Sequence, residues 1–342
     1  MHEIPRRLGV NKALDAAVAT VVGAHSSFCS RRPASTRGLL LYSVALSNLR
    51  ASLDDVGTAC SNETLCAVMV LMACQSLMGL NNGAGSGHSE GAIKLLKARG
   101  PPNPDDMFET ELVMCVRAPA QLEGIFNEEI EMMLPDPPGS RYSEVSVLNT
   151  VSQTQGLIRR WSGPHGLGIG DATIVEDAKE FYKISQDAIE EWRAITKAMD
   201  QRMTLAKTQP LVLVHEHARL HQYLGLLIAV TIILNCIVSA IDRDHSATLT
   251  RERTALILES LALVEGVADY SPLGCTHVGL SLGACWIGHD DPVTRAAIEV
   301  ALDKHTSTEW PAPETSRLIS NLSFAAGRFH QRLLRGSQAV DD

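Results

Sequence analysis

Apolar residues along this chain recur at intervals of three and four rather than alternating one by one. That spacing collects them on one face of an α-helix. It predicts helices over 11–24, 38–53, 62–79, 88–99, 106–116, 119–134, 144–161, 172–203, 210–241, 249–268, 275–287, 291–305 and 313–334. Strand-like alternation bounded by hairpin turns is nowhere sustained. Start and stop signals fit the pattern. Ser61 and Asn62 stand where they can accept from the free amides of a helix entering at Glu63. Asp291-Pro292 puts proline in a first turn, and Gly100-Pro101 closes the helix before it. The expected fold is all-α, a large helical domain spanning 1–342 with possible halves at 1–161 and 172–342.

Breaks fall at 81–87, 100–106, 135–140 and 162–171. The last, SGPHGLGIGD, is rich in glycine, but no strand precedes it and it spells neither a dinucleotide nor a P-loop pattern. It reads as a connection or a lid over a pocket, with His165 placed to act on a substrate as the lid closes. The stretch 224–241 carries no charge over 18 residues, near the lower limit for a membrane span. Asn235 and Ser239 within it, and the amphipathic helices around it, favour a central buried helix over a span.

The same helix carries the candidate chemistry. His215, His217 and His221 lie at its front, in VHEHARLHQY. His217 and His221 are four apart and share a face, a spacing that suits a metal. The segment is not an HExxH motif, however, and no third ligand is evident from the sequence. Asn235 follows His217 by five full turns, so His217, His221, Asn235 and Ser239 form an irregular polar stripe on an apolar rod. Buried polar groups need partners, which neighbouring helices or a ligand can supply. The ligand-facing reading makes His217, His221 and Asn235 catalytic donors or acid/base groups, with Ser239, Trp286, His289 and His165 binding the ligand. No metal and no cofactor are expected. No Ser/His/Asp order is recognisable, and paired carboxylates such as Asp54-Asp55 and Asp105-Asp106 read as solvated.

Composition narrows the classes. The chain has 342 residues, 45% of them hydrophobic and 20% charged, which are ordinary globular values. A net charge of -9 argues against a direct nucleic-acid footprint, and the one basic cluster, Arg31, Arg32 and Arg37, is too short to reverse that. Of the eight cysteines, no two are separated by only two residues, so no zinc knuckle can close here. Most sit in apolar runs and read as reduced, intracellular thiols.

Three phrases in fixed order bear on family. LYSVALSNLRASLDD, SNETLCAVMVLMACQSLMG and HSEGAIKLLKARGP occupy 41–55, 61–79 and 88–101. The order resembles the regulatory (middle-homology) domain of fungal zinc binuclear-cluster transcription factors. There an "AL..L..AL" helix precedes "S.ETL....LL...EL" and "H..GA..LL..RGP". The likeness continues at Arg117 to Glu129 and at Ile257 to Leu302 and covers roughly Leu14 to Leu334. It implies an all-helical fold, an interior able to hold a small molecule, and self-association as a homo-oligomer; Tyr42 and His88, on the motif helices, are then structural. The six-cysteine zinc cluster that such factors carry is absent from this sequence. Two classes follow. One is a cofactor-independent enzyme of fungal secondary metabolism that directs cyclisation or cycloaddition of a hydrophobic intermediate. The other is a small-molecule-sensing co-regulator acting through a DNA-binding partner.

Overall fold

The computed structural model describes residues 3–309 apart from 31, 79–86, 104, 127–141, 163–171, 207, 209, 243, 271–276 and 290, together with 327 and 331. Eleven α-helices follow one another among the described residues: α1 Lys12–Cys29, α2 Thr36–Asp54, α3 Asn62–Leu77, α4 Gly87–Arg99, α5 Met107–Phe126, α6 Tyr142–Ser162, α7 Ala172–Leu205, α8 Leu211–Ile241, α9 Ser246–Gly266, α10 Val278–Gly288 and α11 Pro292–Glu309. Short 3-10 turns lie at Ile4–Arg7 and Ala268–Tyr270, and no strand is present among these residues. The chain divides into two compact units, the second beginning at Ser143.

In the first unit α1, α2 and α3 pack on one another and α3 also meets α4 and α5. Its core runs from Ala13, Leu14 and Ala17 through Leu65, Leu71 and Cys74 to Leu96, Leu112 and Val116. Of the two caps expected for α3, Ser61 forms, its Oγ accepting from the amide of Thr64 at 3.1 Å, while Asn62 Oδ1 is taken by Arg99 instead. Asn11 Oδ1 accepts from Ala13 and Leu14 at the head of α1. Gly100 takes φ +79° at the end of α4, a left-handed conformation that a side chain resists. Just before it, the nearly buried Arg99 pairs with Glu109 at 2.7 Å and also donates to Asn62 Oδ1 and the Cys60 carbonyl. One guanidinium thus ties the end of α4 to the heads of α3 and α5.

The sequence periodicity predicts separate helices over 106–116 and 119–134, yet α5 runs unbroken from Met107 to Phe126, through Pro119. Proline removes a single intrahelical hydrogen bond, and the backbone on both sides stays helical. The stretch 127–134 and almost all of the expected helix 313–334 lie outside the described residues.

The second unit is organised by α8. Sixteen of its residues are buried, continuously from Leu224 to Val238. A helix that is apolar all round must be enclosed on every side, and α7, α9 and α10 all pack against it. Among the described residues α8 is the one helix long and apolar enough to cross a membrane, and 83% of its most apolar window is buried inside the protein. α7 supplies a matching stripe: Ile174, Ala178, Tyr182, Ser185, Ile189, Trp192, Thr196 and Met203 are buried at intervals of three, four and seven. α7 and α8 form an antiparallel pair, with Lys179 against Asp242, Tyr182 against Asn235, Trp192 against Tyr223 and Asp200 against His217. α9 runs back along both, fastened to α7 by the two-point Arg193–Glu259 pair.

α10 runs parallel to α8 at close range, and two glycines permit the approach. A Cβ on Gly225 would lie 2.7 Å from Cδ2 of His277, and one on Gly288 would lie 2.6 Å from Cγ2 of Ile232. In an open helix Gly→Ala stabilises by about 1 kcal/mol. Gly225→Ala is expected to do the reverse, destabilising the second unit by about 1–3 kcal/mol through overpacking. Urea denaturation followed by circular dichroism checks this, and the cost should largely vanish when His277→Ala is the background.

Candidate functional site

Between its apolar first turn and its long apolar stretch, α8 carries a polar segment from His215 to Tyr223, and Asn235 and Ser239 follow further along. His215 is exposed. His217 and His221, one turn apart, point the same way and their rings lie 4.3 Å apart. Both meet a residue that sequence reading did not single out. Asp200, on the last turns of α7, brings Oδ1 to 2.7 Å from His217 Nε2 and 3.0 Å from His221 Nε2. The two Nε2 atoms are 3.2 Å apart. The antiparallel α7–α8 pairing creates this meeting, because it sets position 200 opposite 217. On the far side of His217, Nδ1 lies 2.6 Å from the hydroxyl of Tyr270, in the 3-10 turn after α9. The order Tyr270–His217–Asp200–His221 is a continuous hydrogen-bonded chain.

Its electrostatics are set by partial burial. The side chains of His217 and His221 are 12% and 10% exposed, whereas that of Asp200 is 48% exposed. Burial, then the neighbouring His221, hold the His217 pKa below its ordinary value, against the opposing pull of Asp200. A neutral His217 can donate from Nε2 to Asp200 and accept at Nδ1 from the Tyr270 hydroxyl.

A third imidazole lies next to this chain. His277 precedes α10 and stacks its ring edge over Gly225, one turn beyond His221 on α8. It is 3% exposed. Neither of its ring nitrogens has a hydrogen-bond partner among the described residues, and the same holds for His221 Nδ1. Buried polar atoms are nearly always satisfied. Three orphaned imidazole nitrogens at one place are therefore a departure from the rule. Burial, reinforced by His305 and His221, pushes the His277 pKa down to about 3.

The other candidates fall elsewhere. Asn235 is fully buried and fully used: its amide donates to the Tyr182 hydroxyl at 2.8 Å and the Leu249 carbonyl at 3.0 Å, and its Oδ1 accepts from Arg253 at 2.9 Å. Ser239 joins the same network, 3.4 Å from Asn235 Oδ1 and 3.2 Å from Arg253. Five turns of helix separate Asn235 from His217, about 27 Å at 1.5 Å per residue, so the shared face does not make a shared site. Trp286 Nε1 donates to Glu299 at 3.1 Å under the Arg295 guanidinium, and His289 meets Thr254 at 3.3 Å and caps the Asp291 amide. Both lie at the end of α10 that faces the apolar part of α8. His165 lies outside the described residues. The structure thus unites His217 and His221 and adds Asp200, Tyr270 and His277. Asp200 and Tyr270 carried no sequence signal beyond their residue types, since pairing across helices decides which of many acids and tyrosines arrives.

The buried thiols match their reading as small hydrophobes: burial pushes Cys66 to about 11 and Cys74 and Cys285 to about 12. Comparison with protein family models, with curated proteins and with solved structures finds no match for this chain.

Two outcomes follow from this geometry. Asn235→Leu is expected to destabilise the second unit by about 2–3 kcal/mol, since it strips acceptors and donors from Arg253, Tyr182 and the Leu249 carbonyl at once; chemical denaturation reads the loss. His277 should make the unit acid-labile. Its folded pKa, about 3, lies below that of an unfolded histidine, about 6.5. Between those values the unfolded chain binds the extra proton, so stability is complete above about pH 6.5 and falls as the pH drops toward 3. Thermal unfolding across that window should show a shallower decline in His277→Leu than in the parent chain.

Proposed function

We propose that this protein is an enzyme of secondary metabolism that directs the cyclisation or cycloaddition of a hydrophobic intermediate, with its proton work done by His217 and His221. The observation that carries the reading is the set of buried imidazole nitrogens on His221 and His277 that have no partner among the described residues, beside the Tyr270–His217–Asp200 chain. A substrate carbonyl or hydroxyl would supply the partners these atoms lack. Desolvated donors aimed at an oxygen that gains charge lower a barrier effectively. Holding a flexible substrate in its reactive conformation supplies more, up to about 7–11 kcal/mol in the best cases. The reaction is an isomerisation: a proton leaves one substrate atom for an imidazole and returns to another, and no atoms are gained or lost. His277 binds the substrate oxygen, His221 exchanges the proton through Nδ1, and Tyr270 and Asp200 hold His217 in one tautomer.

The resemblance to the fungal regulatory domain is part of this proposal. It suggests an intracellular, self-associating helical receptor whose small-molecule site has been turned to chemistry. On that reading Asn235 and Ser239 keep the helix in place, and Trp286 and His289 brace its far end.

The reading is tested by disrupting the gene in its source organism and following biosynthetic transcripts and metabolites together. The expected result is unchanged transcripts with an uncyclised precursor accumulating. Complementation with a His221→Phe copy should leave conversion of that precursor slower by about 10²–10⁴-fold, the usual range for a lost acid/base group. If the transcripts themselves rise or fall and metabolites merely follow, the protein is instead a small-molecule-sensing co-regulator.

A further inference from the structure

We infer that Asp200, His217 and His221 form a binding site for one divalent first-row transition cation of the zinc type. Their three ligand atoms lie 2.7, 3.0 and 3.2 Å from one another. Without a cation, both Nε2–H groups can donate to Asp200 Oδ1, or one ring can donate to the other's Nε2 lone pair across 3.2 Å, but no single arrangement of protons serves all three contacts. A cation satisfies all three contacts at once. Zinc sits about 2.0–2.2 Å from imidazole nitrogen and carboxylate oxygen. Placed equidistant from these atoms, it stands about 1 Å above their plane, and reaching tetrahedral edges of about 3.3–3.6 Å requires the Asp200–His217 edge to open by about 0.6–0.9 Å and the other two by less. The opposite side of such a cation stays open, as in sites where three protein ligands leave a position for water or substrate.

The surroundings have the remaining features of a metal site. Two imidazoles and one carboxylate favour transition cations over calcium or magnesium, which prefer all-oxygen shells. Tyr270 hydroxyl at 2.6 Å from His217 Nδ1 can accept its proton, which fixes the tautomer whose Nε2 lone pair faces the cation. Both imidazoles are held by neighbouring helices, and the half-exposed Asp200 leaves a way in. The sequence hides this site because its third ligand comes from α7, before the α7–α8 turn.

Binding does not rest on the enzymatic reading, but its consequence does. A cation on both Nε2 atoms removes the shared hydrogen bonds to Asp200 and fixes the tautomers, so metal occupancy and proton transfer through this chain exclude one another. The cation would act as an off-switch for the proposed cyclisation.

Zn2+ and Co2+ serve as probes on the purified full-length chain stripped with a chelator. Equilibrium dialysis with elemental analysis should find one equivalent held per chain. Co2+ should give the intense visible absorption of a low-coordinate N/O site. Asp200→Asn, at a half-exposed position, should keep the fold by circular dichroism yet weaken binding by at least tenfold, and His217→Gln with His221→Gln should abolish it. Tyr270→Phe should weaken binding by about 10–100-fold, the usual effect of losing an outer hydrogen bond. His215→Ala, at an exposed position on the same helix, should change nothing. The inference is overturned if the parent chain binds no cation at micromolar concentration, or if the double histidine variant binds as well as the parent. These measurements need no substrate, so the metal site can stand when the enzymatic reading fails. Conversion of precursor that proceeds equally with chelator and with excess Zn2+ would leave the enzyme and remove the switch.

Discussion

The second unit depends on enclosing one helix. α8 presents apolar side chains in every direction from Leu224 to Val238, and no single neighbour can cover such a rod. Burying each large aliphatic side chain contributes about 1.5–3 kcal/mol, and that gain is available only if α7, α9 and α10 close around it together. The glycines at 225 and 288 let α10 come near enough to complete the enclosure. Enclosure then constrains everything polar on the helix. A hydrogen-bonding group on α8 must be matched by a neighbour or carry a cost.

The polar groups on α8 meet that constraint in two ways. At the far end, Asn235 is answered on all sides by Tyr182, Leu249 and Arg253, and Ser239 completes the set. That network fixes the register of three helices. At the near end, His217 finds Asp200 and Tyr270, while among the described residues one nitrogen of His221 and both of His277 have no partner. The first arrangement is a finished piece of structure. The second leaves hydrogen-bonding capacity unused among the described residues, and it sits where α8 turns polar and the carboxylate of Asp200 reaches solvent. A protein built only for stability gains nothing from orphaned imidazoles; they cost free energy until something binds them.

Much of the architecture was legible from the order of apolar and polar residues. Helix period, capping by Ser61, the stop at Gly100 and the burial of 224–238 all follow from local rules. α5 did not: the pattern predicts two helices, over 106–116 and 119–134, where one continuous helix accommodates Pro119. The site was only half legible. His217 and His221 are neighbours by period alone, so sequence could pair them. Asn235 shares their face but lies five turns away, and period says nothing about distance along a rod. Asp200, Tyr270 and His277 come from three other elements, and only the antiparallel pairing of α7 with α8 and the parallel approach of α10 bring them in.

The central claim is that the polar end of α8 is a binding site while its apolar length is scaffold. Long-range proton–nitrogen NMR of the histidine rings tests it most directly, because it reports protonation and tautomer at each ring nitrogen. The account predicts a His277 ring that stays neutral at pH 5, and His217 and His221 Nε2 signals that move together when Zn2+ is added. A His277 ring that gains its proton near pH 6.5, as a free imidazole does, together with Nε2 signals indifferent to the cation, would contradict it.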